Sequence, residues 1–273
     1  MESIIIGTYY CNNDYTKPIE IKRLNEREFH VSSSYWKDDI GTIENEFIVW
    51  NRLGKGKISS TNIEYGSTNL WYKDTREGKN ILFIGANNMD EIKYYAQRYK
   101  NGIFIEAIPD VYEKTKKNIK MANDTWNTNF IAINKLVTSK INEKYDFNIF
   151  SNGGASSSIY EANSVEWKWN TVKQTHKITL ISTTIDHLIK ENNWDKKKFD
   201  VVLDVQGAEL EVLKGFGKDN INNIINMKVE VSTKEFYKGG VLFKDLNAFL
   251  VENGLKLTAP PKRIHCDVTY VRR

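Results

Sequence analysis

The sequence predicts an α/β protein: a mostly parallel sheet with helices on both faces and a C-terminal antiparallel strand, preceded by a small β-rich module. Three observations predict it. From Asn80 onward, short apolar runs alternate with helical segments. Before Thr75 the chain carries β-formers broken at close spacing by glycine and other turn residues. The tail ends in two short β-like runs, which a final hairpin would add to the sheet as antiparallel strands. The expected domains are residues 1–75 and 76–273.

Within the first 75 residues, Glu44–Trp50 is apolar at its end, Asn51–Gly54 breaks it, and Lys57–Thr61 resumes. Tyr65-Gly66-Ser67 breaks the pattern again before Leu70-Trp71-Tyr72. No helical period appears, so a small antiparallel sheet or meander is expected.

The second region opens with Ile81–Ile84, a short apolar run ended by Gly85 and expected as a buried strand. A helix is expected over Asp90–Lys100, a strand over Ile103–Ile105, and a helix from Pro109 to about Asn123, with proline well placed at its start. Strands follow at Phe130–Ile133, Asp200–Leu203 and Met227–Val231. Helices are expected from about Gly207 to Lys214 and from Val241 to Asn253, where Gly254 stops the second. Leu255–Leu257 and Asp267–Val271 are the last strands. Residues 138–180 interrupt this rhythm. Asp146–Phe150 and Lys177–Leu180 read as strands flanking an insertion that carries Asn152–Ser158 and the tryptophans Trp167 and Trp169.

Composition excludes several function classes. Hydrophobic residues are 40% and charged residues 27% of the 273, enough for a core of ordinary size. A net charge of +4 argues against a nucleic-acid partner. Nothing approaches the roughly 20 apolar residues that span a bilayer, and the apolar run after Met1 is too short for a signal segment. Two cysteines, Cys11 and Cys266, make no disulfide framework, so a reducing, cytoplasmic location is expected. His30, His176, His187 and His265 show no metal-ligand spacing, and His187, beside Asp186 on an expected helix, is expected at the surface or in the core.

Three segments carry chemistry. Ile84-Gly85-Ala86-Asn87-Asn88-Met89-Asp90 is a strand, a turn and a helix start with one glycine. A dinucleotide site needs three spaced glycines for its pyrophosphate, so that cofactor is disfavoured. Glu106 ends the next strand about 20 residues on, the spacing at which an acid meets a ribose diol. The plain alternative is a solvated acid favoured by a helix dipole. Finally, the strand Val201-Val202-Leu203 delivers Asp204 to the same sheet edge. Gly207 permits a turn, and Glu209 opens a helix. These carboxylates could activate a hydroxyl or hold a metal; equally, Asp204 could cap the helix and Glu209 satisfy its dipole. Glu230, near the end of its strand, could reach the same edge.

The string LDVQGAELEVLKGF, followed by VEVSTKEFYKGGVLFKDLNAFLVENGLKL, resembles the FkbM family of S-adenosylmethionine-dependent methyltransferases. The earlier GASSSI, TTIDHLI at Thr183–Ile189 and the closing CDVTYVRR resemble the same family in the same order. The likeness covers Asn80 to the C-terminus and leaves residues 1–75 outside. It implies a Rossmann-like class I methyltransferase fold, S-adenosylmethionine as methyl donor, and O-methylation of a sugar, glycan or related small molecule. Cofactor contacts are implied at Gly85, Ala86, Asn87, Glu106, Ala107, Ile108 and Asp204. Asp204 is the first candidate for base or metal ligand, with Glu209 and Glu230 behind it; a divalent cation such as Mg²⁺ is an open alternative. Ser156, Ser157, Trp167 and Trp169 of the insertion are the expected acceptor contacts, and residues 1–75 are expected to bear on acceptor choice or self-association. Two positions depart from the family pattern: Phe83 stands where Asp is usual and Met89 where a second Gly is usual. An RNA ribose 2'-O-methyltransferase and a non-catalytic binding protein on a decayed methyltransferase fold are the alternative readings.

Overall fold

The computed structural model describes residues 5–11, 15, 17–25, 28–33, 36–44, 47–50, 53–58, 62–65, 69–164, 166 and 171–273. The chain divides into two compact units: Met1–Gly78 with Tyr94–Lys100 and Met121–Thr128, and Lys79–Lys93 with Asn101–Lys120 and Asn129–Arg273.

In the first unit the strands are β1 (Gly7–Cys11), β2 (Pro18–Arg23), β3 (Glu28–Ser33), β4 (Trp36–Glu44), β5 (Phe47–Trp50), β6 (Gly54–Ile58), β7 (Asn62–Tyr65) and β8 (Asn69–Lys73). Each pairs antiparallel with the next, and β1 pairs with β8, so the expected meander closes into a barrel. Closure removes the free edges that an open sheet would leave. Ile19 and Ile21, then Phe29 and Val31, alternate inward as the period of a strand requires, and pack with Tyr9, Ile48 and Ile63. Gly41 lies opposite Trp50, and a Cβ there would come within 2.3 Å of the indole. Residues 51–52 and 66–67 of the expected breaks lie outside the described residues, as do Trp167 and Trp169.

This unit also buries charge. Arg76 grips Asp74 with two parallel hydrogen bonds, Nε to Oδ1 at 2.8 Å and Nη2 to Oδ2 at 2.9 Å. Its Nη1 donates to the carbonyls of Ala96 and Trp126, groups that a helix end leaves without partners. Lys100 lies 3.6 Å from Asp74, and the Tyr10 hydroxyl 3.2 Å.

The second unit holds a seven-stranded sheet in the order β11-β10-β9-β15-β16-β18-β17. Its strands are β9 (Asn80–Ile84), β10 (Asn101–Glu106), β11 (Asn129–Asn134), β15 (Phe199–Leu203), β16 (Ile224–Ser232), β17 (Leu255–Leu257) and β18 (His265–Arg272). The first five are parallel, and β18 runs antiparallel to both its neighbours. The chain steps outward from β9 to β11, then returns to place β15 on the other side of β9. That reversal is a topological switch point, where open α/β sheets bind ligands. The central strands are apolar over Ile81–Ile84 and Val201–Leu203, as strands covered on both faces must be. Residues 136–183 form a separate small sheet: β12 (Leu136–Val137) lies parallel to β14 (Gln174–Thr183), which pairs antiparallel with β13 (Lys144–Phe150).

The helices are α1 (Ile92–Ala96), α2 (Pro109–Trp126), α3 (Ile185–Glu191), α4 (Glu209–Lys214), α5 (Lys218–Asn222) and α6 (Phe243–Glu252). Three are shorter than the sequence suggests. The helix expected over Asp90–Lys100 spans only Ile92–Ala96, because Asn87 and Met89 before it adopt positive φ. Gln206 and Gly207, at φ 56° and 95°, delay α4 to Glu209. The helix expected from Val241 begins at Phe243, behind an extended Leu242.

Candidate active site

The site is built at the carboxyl ends of β9, β10 and β15. Gly85 ends β9 with φ 83°, and a Cβ there would stand 1.7 Å from the Asp204 carbonyl oxygen. Only glycine lets the two strand ends run so close. Asn87 and Met89, at φ 48° and 55°, complete the turn. Met89 carries its side chain into the core, and Phe83 stacks on Phe104 at 6.0 Å. Neither residue lines the pocket beside the turn.

Glu106 ends β10. One carboxylate oxygen accepts from the Asn87 amide and the other from the Ile108 amide, each at 2.8 Å. Burial pushes its carboxyl above the usual range, and the backbone donors offset this only in part. Each oxygen keeps a lone pair for a further donor. Gly85, Asn87, Glu106, Ala107 and Ile108 line one pocket with Asp204 and Ser157; Leu136, Val137 and Phe147 give it apolar walls. Ala86 is buried behind the turn.

Asp204 follows β15, and its amide donates to the Ile84 carbonyl at 3.0 Å. Its Oδ1 accepts from Gln206 Nε2 at 2.6 Å, and the same nitrogen lies 2.7 Å from Glu230 Oε2. Gln206 is held in turn by Tyr237, whose hydroxyl stands 2.7 Å from the amide oxygen and 2.9 Å from the Ser156 carbonyl. Burial, then the adjacent Glu230 carboxylate, push Asp204 well above the ordinary carboxylate range. Glu209 does not reach the pocket: its Oε1 accepts from the Val205 and Gly207 amides and ties down the turn. Burial and the Glu230 charge push Glu209 up to about 7. Glu230 reaches Asp204 through Gln206, and its other oxygen lies 3.0 Å from His265 Nε2. Ser156 bonds Asn152 through its hydroxyl and stands outside the pocket lining.

Gln206, Tyr237 and His265 were not legible as site residues. The signal for His265 lies in strand register, since it pairs with Ser232, two residues after Glu230. Among the described residues no three His, Cys, Asp or Glu side chains gather as a metal-binding set. The gap between Asp204 and Glu230 is spanned by the Gln206 amide.

The sequence pattern of the methyltransferase FkbM domain matches residues 84–257. The chain belongs to the FkbM methyltransferase family. It is therefore an S-adenosylmethionine-dependent methyltransferase, and a pocket with a buried acid, a tight first turn and apolar walls is of a kind that fits that cofactor. No curated protein matches this FkbM chain in sequence. Among solved structures it is similar to a fibrillarin pre-rRNA processing protein of Methanococcus jannaschii, at 14% identity and TM-score 0.38, over 93% of this chain and 97% of that one. An FkbM methyltransferase of Methylobacillus flagellatus KT matches at 12% identity and TM-score 0.43, over 71% of this chain and 43% of that one. A magnesium protoporphyrin IX methyltransferase of Synechocystis PCC 6803 matches at 11% identity and TM-score 0.37, over 71% and 69%. Among the described residues no helix is long and apolar enough to cross a membrane.

Proposed function

We propose that this FkbM protein methylates a hydroxyl of a sugar, a glycan or a related small molecule, with Asp204 as the general base. The observation that carries this reading is a carboxyl of raised proton affinity at the end of β15, opening into the same pocket as Glu106. A hydroxyl loses its proton as it attacks, and a base near neutrality takes it most effectively. When bound, S-adenosylmethionine supplies an electrophilic methyl group on a cationic sulfur. Glu106 would hold the ribose diol through its free lone pairs. Leu136 and Phe147 would cover the purine. Gln206 fixes the Asp204 carboxylate, so positioning costs nothing further at the moment of reaction. The segment from Ser156 to Trp169 would meet the acceptor, and Ser157 in the pocket wall supports this. Residues 1–75 would act in acceptor choice or self-association. The free cysteines Cys11 and Cys266 suit a cytoplasmic setting.

The deciding experiment incubates the protein with methyl-labelled S-adenosylmethionine and a panel of sugars and glycans. Label in an ether linkage on an acceptor is expected. Label transferred only to RNA, with acceptor binding steeply dependent on salt, would replace this reading with the ribose one. Cofactor binding without transfer to any acceptor class would favour a binding protein.

A further inference from the structure

Asp204, Glu209 and Glu230 crowd three carboxyls into the end of one sheet, and like charges so placed cannot all ionise without a counter-charge. Among the described residues His265 is in direct contact with one of them, Glu230. It opens β18, and strand pairing sets it beside Ser232 of β16. Its Nε2 lies 3.0 Å from Glu230 Oε1 and its Nδ1 lies 2.7 Å from Ser232 Oγ. Both ring nitrogens therefore face an oxygen that can accept, which accommodates a doubly protonated imidazole; the Ser232 hydroxyl can also donate to Nδ1 when the ring is neutral. The edge of the Phe236 ring packs against it at 5.3 Å. The charges that act on it include the acids Glu230, Glu209 and Asp267. Lys228 is paired with Asp267 at 2.7 Å, and its charge also acts on Asp204.

We propose that His265, as its cation, is the positioning residue that lets Asp204 and Glu230 be ionised together, and so sets the pH window of methyl transfer. The chain of contacts runs from His265 to Glu230, across the Gln206 amide to Asp204. This rests on Asp204 as the base. With the imidazolium in place, Asp204 is free to accept the proton of the acceptor hydroxyl. With a neutral ring, the pair keeps a proton to higher pH and the base is blocked. The hydrogen bond to Glu230, the main cause, raises the imidazole above its ordinary 6.5 although burial opposes this.

Two measurements test it. The first needs no cofactor: the histidine ring protons are titrated by NMR in the free protein, with His265 assigned by its loss in His265→Lys. Titration above 6.5 is expected, falling by about 1 unit in Glu230→Gln, the low end for losing an adjacent opposite charge. An unmoved titration overturns the proposal. The second is the pH profile of kcat. His265→Lys, whose charge persists, should keep the acid limb where the wild type has it. His265→Gln, which keeps a donor but no charge, should shift the acid limb upward and lower turnover at pH 7 about tenfold, recovered at higher pH. Identical profiles for all three proteins overturn it. Should Asp204→Asn turn over normally, the base assignment falls; the coupling of His265 to Glu230 would still be decided by the NMR titration.

Discussion

Two clusters of buried charge, one in each unit, solve the same electrostatic problem in opposite ways. In the barrel unit Asp74 is matched by Arg76 in a bidentate grip and by Lys100 nearby. In the methyltransferase unit three carboxyls stand together with one imidazole in contact. The first arrangement holds each group in its ordinary ionised form. Burial alone would raise Asp74, but the hydrogen bonds and charge of Arg76 outweigh it and hold the carboxyl low. The second forces proton affinity upward at Asp204 and Glu209. Paired charge fixes a structure, whereas crowded like charge makes a group that can take a proton near neutrality.

The sharpest way to break the comparison is at the two cluster centres. Arg76→Ala leaves Asp74 buried without its main partner and removes the donor to Ala96 and Trp126. A loss of about 3–5 kcal/mol in urea unfolding is expected, with cofactor affinity of the folded protein unchanged. A loss within 1 kcal/mol would show that Lys100 and Tyr10 suffice. Asp204→Asn should do the reverse. It keeps shape and much of the hydrogen bonding, so folding and cofactor binding stay near normal while turnover drops at least about 10²-fold. Wild-type turnover would move the base to Glu230 or the acceptor itself. If magnesium restores activity that EDTA abolishes, Asp204 acts on a metal instead.

Glu106→Ala is expected to weaken binding of S-adenosylmethionine and S-adenosylhomocysteine by more than about tenfold, the scale of a lost charged hydrogen bond. Calorimetry checks it, and unchanged affinity would remove Glu106 from the site. Trp167→Ala and Trp169→Ala should raise the acceptor KM more than they affect cofactor affinity; unfolding of either variant would mark a core residue instead.

The smallest effect is the pH dependence of stability, and its sign differs between the clusters. Asp74 has a lowered folded pKa, so its contribution is present above its unfolded value of 3.8 and is lost as pH falls through the folded one. Asp74→Asn should flatten the acid limb of a Tm-against-pH curve. Asp204 has a raised folded pKa, so its contribution is present below 3.8 and is lost as pH rises through the folded value. Asp204→Asn should therefore raise Tm at pH 7 relative to wild type. A lowered Tm there would mean that the carboxylate is needed for the turn.

How much was legible varies with the range of the interaction. Gly85, Glu106 and Asp204 could be read because each ends an apolar strand, and parallel strands deliver their ends to one edge. Glu209 could not, since sequence spacing does not show that its carboxylate folds back onto the Val205 and Gly207 amides. Met89, where the family pattern usually has glycine, takes a left-handed backbone at φ 55° with its side chain turned into the core.

The apolar runs and helical periods from Asn80 onward determined the parallel sheet, its switch point and the order of its elements, because local burial patterns encode them. The closure of the barrel through β1 and β8 did not appear in the sequence, because that pairing joins Tyr10 to Tyr72 across most of the module. Nor did the partnership of Glu230 with His265, which an antiparallel register creates between distant strands. Residue types and their period are local properties of a chain. Which charge meets which is decided only when strands pair.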